Sequence, residues 1–109
     1  MLQSTQKPNE VYTVKLVTGE EVIGYLVSDA KDGITLRKPV VPVQMDDGWG
    51  LAPYLMTSDY LHSGKGELNF KPSAIITSDL TGTGFATMYM QQVSGIDMSA
   101  NSKPGLIMT

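Results

Sequence analysis

Two strand patterns, at 11–17 and 22–28, meet in residues 14–29, which read Val14-Lys15-Leu16-Val17-Thr18-Gly19-Glu20-Glu21-Val22-Ile23-Gly24-Tyr25-Leu26-Val27-Ser28-Asp29. Apolar and polar residues alternate before the central Thr-Gly-Glu turn, and apolar residues occupy both faces after it. This pattern predicts a β-hairpin in which Gly19 supplies the positive φ of the turn. Because the second strand is apolar on both faces, we expect it to be covered on both sides.

Gly24 interrupts the middle of this second strand. A glycine there typically marks a bulge or a bend, and a tolerated small residue is the alternative interpretation. The Asp-Gly pair ending at Gly33 predicts the next turn, and residues 34–43 predict a third strand. Pro39 and Pro42 cannot donate to a ladder, so we expect the second half of that strand to lie at an edge or to curve away.

The remaining chain divides into an insertion, two strands and a tail. Residues 45–71 lose the alternation but are too apolar for a linker, which indicates an ordered insertion with a short hairpin or a helical turn. Two further strands are predicted at 73–80 and 85–93, and no segment has a useful helical period. The prediction is an all-β protein: a small, strongly bent, five-stranded open barrel in residues 11–94, with an insertion at 45–71 between strands 3 and 4. Residues 1–10 form an N-terminal arm and residues 95–109 a C-terminal tail.

Composition narrows the class of protein. The 109 residues fit one domain, and no cysteine is available for disulfides or thiolate sites. No apolar run is long enough to cross a membrane, so a soluble intracellular protein is expected. The net charge of −3, with the basic residues scattered, disfavours an extended nucleic-acid surface.

Residues 14–29, followed by Gly33-Ile34-Thr35-Leu36, resemble the first sequence motif of the Sm-like (LSm) proteins. Gly19 and Gly24 match the two glycine positions of the motif, and Asp29 matches its aspartate with one residue fewer before it. The full sequence also resembles Sm-like proteins from marine metagenomic sequence that are attributed to cyanophages. The resemblance implies an SH3-like barrel and a ring in which the fourth strand of one subunit pairs with the fifth strand of the next.

The positions that bind RNA in this family differ here. A base-stacking residue and an asparagine follow the aspartate in RNA-binding Sm proteins, whereas Lys31 and Gly33 stand at those positions in this sequence. The expected equivalent of the second motif, residues 75–79, has no basic residue. We therefore expect the usual uridine site to be absent. RNA binding through a basic rim is the alternative, with Asp29, Lys31, Arg37 and Lys38 as its candidate residues.

The two predicted C-terminal strands have almost no charge. Asp79 is the only charged residue in 72–96, whereas natural strand edges are usually protected by lysine, proline or a bulge. Together with the strand pairing that the resemblance implies, these edges predict a homo-oligomeric ring of roughly five to seven subunits. The candidate interface residues are Ala74, Ile75, Ile76, Thr77, Ala86, Thr87, Met88, Tyr89 and Met90. A monomer in which the insertion covers one edge is the alternative.

No group of residues predicts catalysis or metal binding. His62 is the only histidine, and the adjacent Asp46 and Asp47 are more typical of a turn than of a calcium site. Gly82-Thr83-Gly84 lacks the remaining residues of a phosphate-binding loop. Aromatic residues of the insertion form either a binding platform or cover for the core: Trp49, Tyr54 and Tyr60.

The function predicted from these observations is a non-catalytic scaffold or interaction module. We expect no cofactor, no metal, no small-molecule substrate and no membrane partner. RNA binding through the basic rim and a structural or accessory role in a phage are the alternative functions.

Overall fold

The structure is a computed structural model that describes residues 10–98 of the chain. It consists of six strands, one 3-10 turn and one α-helix in this range. In chain order these are β1 (Val11–Leu16), β2 (Glu21–Ala30), β3 (Gly33–Met45), β4 (Gly48–Pro53), β5 (Glu67–Phe70), the 3-10 turn (Pro72–Ala74), β6 (Ile75–Leu80) and α1 (Thr83–Met98).

All strand pairs are antiparallel, and β3 is the longest strand and the centre of the sheet. The sheet order is β4-β3-β2-β1-β6, and β5 also pairs with β3. The first half of β3 pairs with β2 and β5, whereas its second half pairs with β4. The predicted fold class is confirmed: five strands, β1, β2, β3, β5 and β6, form a small, strongly bent open barrel of the Sm-like and SH3-like kind.

Two glycines allow the sheet to bend and close. The register between β2 and β3 shifts at Gly24, where an added Cβ would lie 3.1 Å from both the Arg37 carbonyl oxygen and Leu36 Cβ. Gly33 has a φ of 122°, and an added Cβ there would overlap the carbonyl oxygen of Phe70. The backbone of β3 therefore approaches its neighbours at both positions more closely than a side chain permits.

The bent sheet separates two hydrophobic clusters. The barrel core lies on one face and contains Tyr12, Val14, Leu16, Val22, Leu26, Ile34, Leu36 and Phe70. The helix-side core lies on the other face and contains Val11, Ile23, Val40, Leu51, Tyr60, Leu61, Tyr89 and Val93. Strand β2 contributes to both clusters, as its apolar pattern predicts.

The predicted strand at 85–93 is wrong, because these residues lie in α1. Phe85, Tyr89 and Val93 are four residues apart, which brings them to one face of a helix. Tyr89 and Val93 are buried in the helix-side core, and Phe85 packs against it. Burial of this stripe favours the helix over the alternating pattern of the same segment. Residues 95–98 of the predicted tail are also helical, whereas 1–9 and 99–109 lie outside the described residues.

The predicted strand assignments after β3 also change. The insertion contains the β3–β4 hairpin, which was one of its two expected forms, and it also contains β5. The fourth barrel strand is therefore β5, and the fifth is β6, which begins at Ile75 rather than at residue 73. Within residues 10–98, no helix combines the length and the hydropathy that crossing a membrane requires.

Candidate functional site

The barrel has unpaired strand edges on both sides. Strand β6 pairs with β1, and β5 pairs with β3; within residues 10–98 neither has a second neighbouring strand. Ile76 is 60% exposed and Leu80 is 52% exposed, so the β6 edge presents large apolar side chains to solvent. The Asp79 carboxylate accepts a hydrogen bond from the Leu80 backbone N–H at 2.8 Å. Asp79 is the only charged residue of β6.

An open pocket of about 310 Å³ lies beside β5. Its lining is mainly apolar and aromatic, and it comprises Tyr54, Leu55, Leu68, Asn69, Phe70, Lys71 and Ala74. The rings of Tyr54 and Phe70 lie 5.3 Å apart between centroids and form one wall. The second edge of the barrel therefore presents an apolar recess rather than a flat strand.

The candidate interface residues divide between these edges and the helix. Ile75, Ile76 and Thr77 lie in β6, and Ala74 ends the 3-10 turn before it. The other five lie in the helix α1 and therefore cannot form the edge of a sheet: Ala86, Thr87, Met88, Tyr89 and Met90. Tyr89 is fully buried in the helix-side core, and Ala86 and Met88 pack against that core. The strand-pairing argument for these five residues is therefore wrong.

The candidate RNA-binding residues form two separate groups. Asp29 and Lys31 lie at the β2–β3 turn, whereas Arg37 and Lys38 lie near the middle of β3. A strand rises roughly 3.3 Å per residue, so the five residues from the start of β3 to Lys38 place it about 16 Å along the strand from the turn. Lys71 was missed by the sequence interpretation, which had placed the equivalent of the second motif at 75–79. Its Cα is within 3.2 Å of a Cβ built on Gly33, so it adjoins the β2–β3 turn.

The bend of β3 holds a buried lysine in an unusual conformation. Lys38 has a φ of 50° and is only 6% exposed. Its backbone N–H donates to the carbonyl oxygen of Gly66 at 2.7 Å, and its Nζ donates to the carbonyl oxygen of Leu61 at 2.9 Å. A Cβ on Gly66 would lie 2.9 Å from Lys38 Cγ, so the lysine stem and the loop backbone are in close contact. Both ends of this lysine are therefore fixed to the 54–66 loop.

A second open pocket, of about 280 Å³, lies at this bend. It is lined by Arg37, Lys38, Gly64 and Lys65, of which three are basic and none is acidic. Arg37 forms an ion pair with Glu67 in β5, with 3.8 Å between Nη2 and Oε2. Lys65 is exposed at the rim. The pocket is therefore locally positive in a chain whose net charge is −3.

The aromatic residues of the insertion serve mainly as cover for the core. The hydroxyl of Tyr60 is buried and donates to the Pro39 carbonyl oxygen, while it accepts the Tyr54 backbone N–H at 2.7 Å. Burial of this hydroxyl raises the pKa of Tyr60 above 10.0, and the backbone hydrogen bond from Tyr54 opposes that effect. Trp49 is half exposed and contacts the Phe85 ring edge-on at 5.6 Å.

The polar residues considered for catalysis and metal binding lie on the surface. His62 is exposed in the 54–66 loop, and Asp46 and Asp47 form the exposed β3–β4 turn. Among residues 10–98, no three acidic or histidine side chains lie close enough together to hold a metal ion. Thr83 and Gly84 begin α1, so the Gly-Thr-Gly segment connects β6 to a helix rather than to another strand.

Comparison with known proteins identifies no relative from which a role could be transferred. No protein-family model matches the chain, and no curated protein matches it. The two barrel edges and the basic pocket are therefore the features on which a functional proposal rests.

Proposed function

We propose that this chain is an Sm-like protein that assembles into a homo-oligomeric ring and acts as a non-catalytic scaffold or interaction module. The observation that carries the proposal is the pair of unpaired edges, β5 and β6, at opposite sides of one bent barrel. An edge strand offers a row of backbone donors and acceptors to another chain. Pairing of β5 in one copy with β6 in the next is a heterologous contact, which closes into a ring when the rotation fits.

The side chains at the two edges support the same contact. Ile76 and Leu80 extend from β6 into solvent, whereas the pocket beside β5 is lined by Tyr54, Leu68 and Phe70. An antiparallel or parallel strand pair between copies brings the apolar side chains of one edge against the recess of the other. Burial of this area stabilises the contact by about 25 cal/mol per Å² of apolar surface.

The test is the mass of the full chain in solution, measured by size-exclusion chromatography with light scattering at micromolar concentration. We expect a mass of roughly five to seven times the 11.8 kDa of one chain. Ile76→Lys inserts a charge at the β6 edge and is expected to lower the mass to that of a monomer. Met45→Lys, at the end of the β3–β4 hairpin, alters an apolar residue of similar exposure and is expected to keep the ring. A monomeric wild-type protein overturns the proposal.

RNA binding at the β2–β3 turn is a second candidate, and one contact favours it. Gly33 adjoins the backbone of Lys71, so the basic residues Lys31 and Lys71 lie at the same end of the barrel. A ring would repeat this pair once per subunit and concentrate its charge, although Asp29 and Asp32 lie at the same turn.

Filter binding of a uridine-rich oligonucleotide at two salt concentrations tests this candidate. We expect binding that weakens with salt and is lost in the double variant Lys31→Ala, Lys71→Ala. The control is Lys15→Ala, which removes a charge on β1. Absence of binding at low salt contradicts RNA binding and leaves the ring proposal unaffected.

A further inference from the structure

We propose that the pocket at the bend of β3, lined by Arg37, Lys38, Gly64 and Lys65, is a binding site for a phosphate group. The site is distinct from the β2–β3 turn and does not depend on ring formation. Three of the eight basic residues in the whole sequence line this one pocket. A cluster of that kind in an acidic protein concentrates a local positive field that favours an anion.

The conformation of Lys38 is the first observation behind the proposal. A lysine with a φ of 50° is in a region that side-chain-bearing residues seldom occupy, and such residues cluster at ligand sites. The backbone and Nζ of Lys38 are both held by the 54–66 loop, and Gly66 lies directly against its stem. The Lys38 side chain is therefore ordered before any ligand binds, and its buried charge adds to the positive field at the pocket at little cost in side-chain entropy.

Arg37 provides the second observation, because its guanidinium is held only loosely. The 3.8 Å separation from the Glu67 carboxylate is longer than the 2.7–2.9 Å typical of a charge-assisted hydrogen bond. The guanidinium is partly exposed and has five N–H donors in a planar fork. It can therefore turn donors toward an oxyanion in the neighbouring pocket while Glu67 remains nearby.

The combination of residues favours phosphate over a carboxylate. Arginine binds phosphate oxygens in a bidentate manner, and lysine adds point charges that suit a dianion. The lining contributes one arginine and two lysines, with Lys65 exposed at the entrance. A volume of about 280 Å³ admits a phosphate together with part of a group esterified to it. The ligand is thus inorganic phosphate or the phosphate end of a small ester.

The experiment is a chemical-shift titration of the full-length, nitrogen-labelled protein with inorganic phosphate. Ionic strength is kept constant with chloride, because exposed charges are screened by salt. We expect saturable shifts of the backbone amides of Gly64, Lys65 and Gly66. A parallel titration with a nucleoside monophosphate distinguishes inorganic phosphate from a phosphate ester as the ligand. Equal affinity for the two shows that the phosphate group alone is recognised, and tighter binding of the monophosphate shows that the ligand is an ester.

Two variants and one control test whether phosphate binds at this pocket. Arg37→Gln and Lys65→Ala are each expected to weaken phosphate binding about tenfold or more, because each removes a charge-assisted contact. Lys31→Ala removes the same charge at the β2–β3 turn, away from this pocket, and is expected to leave the affinity unchanged. A linear, non-saturating response up to about 50 mM phosphate, well above the range of specific sites, overturns the proposal. An equal loss of affinity in Lys31→Ala also overturns it.

Discussion

The hydroxyl of Tyr89 in α1 donates a hydrogen bond to the carbonyl oxygen of Arg37 in β3, at a distance of 2.7 Å. The same hydroxyl lies 3.1 Å from the carbonyl oxygen of Lys38, so both carbonyls at the bend have a polar neighbour. The Tyr89 ring is fully buried and meets the Tyr25 ring edge-on at 5.6 Å. One side chain thus joins the helix both to the helix-side core and to the bend that forms the basic pocket.

Removal of the Tyr89 hydroxyl should therefore destabilise the fold. Tyr89→Phe keeps the ring but leaves the carbonyl oxygens of Arg37 and Lys38 without this donor, at a cost of about 1–3 kcal/mol in the free energy of unfolding. Urea denaturation followed by circular dichroism measures the difference. Tyr54→Phe, a half-buried tyrosine in the 54–66 loop, is the control, with a change below about 0.5 kcal/mol. Equal effects of the two variants would contradict the role given to Tyr89.

Gly33→Ala should disrupt the pairing of β3 with β5. The new Cβ would overlap the Phe70 carbonyl oxygen, and alanine also disfavours the φ of 122° at this position. We expect a loss of at least about 2 kcal/mol in the free energy of unfolding. Gly82→Ala is the matched control, because an added Cβ there meets no atom within 4 Å. The idea fails if thermal unfolding of the Gly33 variant resembles that of the control.

Tyr60 should make the protein sensitive to alkaline pH. Burial raises the pKa of Tyr60 above 10.0, so the folded state favours the neutral hydroxyl more than the unfolded state does. The contribution of the neutral Tyr60 hydroxyl to the free energy of unfolding is fully present below pH 10, and it is lost as the pH rises through the folded-state pKa. Absorbance at the tyrosinate band should show this ionisation at a pH above 10.0.

The variant Tyr60→Phe isolates that ionisation. It should remove this step from the absorbance titration, and its stability should fall less as the pH rises above 10.0 than that of the wild type. It should also be less stable at neutral pH, because the Pro39 carbonyl oxygen and the Tyr54 N–H lose their partner. A titration unchanged by the substitution would show that another tyrosine ionises late.

Substitutions of Lys38 should separate backbone strain from side-chain contacts. Lys38→Ala removes the hydrogen bond from Nζ to the Leu61 carbonyl oxygen and retains the unfavourable φ, with an expected cost of about 1–3 kcal/mol. Lys38→Gly removes the same contact but relieves the strain, so it should be more stable than the alanine variant by roughly 1 kcal/mol. Lys65→Ala, an exposed neighbour, should change stability by less than about 0.5 kcal/mol. Identical stabilities of the glycine and alanine variants would show that the positive φ of Lys38 does not strain the backbone.

The strands of the N-terminal half were predictable because their pattern is local. Alternation in β1, the apolar faces of β2 and the turn residues Gly19 and Gly33 each depend on neighbours within a few positions. The helix was missed because 85–93 contains two competing patterns. Ala86, Met88 and Met90 alternate as in a strand, whereas Phe85, Tyr89 and Val93 have helical spacing. Contact of the second set with a core formed by earlier strands decides the outcome.

The basic pocket could be predicted only in part. Arg37 and Lys38 are adjacent in sequence, and both were candidate ligands. Lys65 joins them because β5 pairs with the first half of β3 and the loop before β5 returns to the bend. Nothing in the local sequence specifies that return. The Gly-Lys-Gly sequence does predict a turn, and both glycines, Gly64 and Gly66, have positive φ values. Lys71 was missed for the same reason, since its proximity to Gly33 depends on strand register.

The position of α1 at the end of the described chain has a consequence for biosynthesis. A ribosome delivers the N-terminal strands first, and domains acquire structure in that order. The apolar surface of β2 that faces the helix therefore stays uncovered until α1 (Thr83–Met98) has been synthesised. A nascent chain stalled before residue 83 would expose Ile23, Tyr25 and Val40 together. We expect chaperones to bind this apolar surface, and we expect a chain terminated before α1 to aggregate through it.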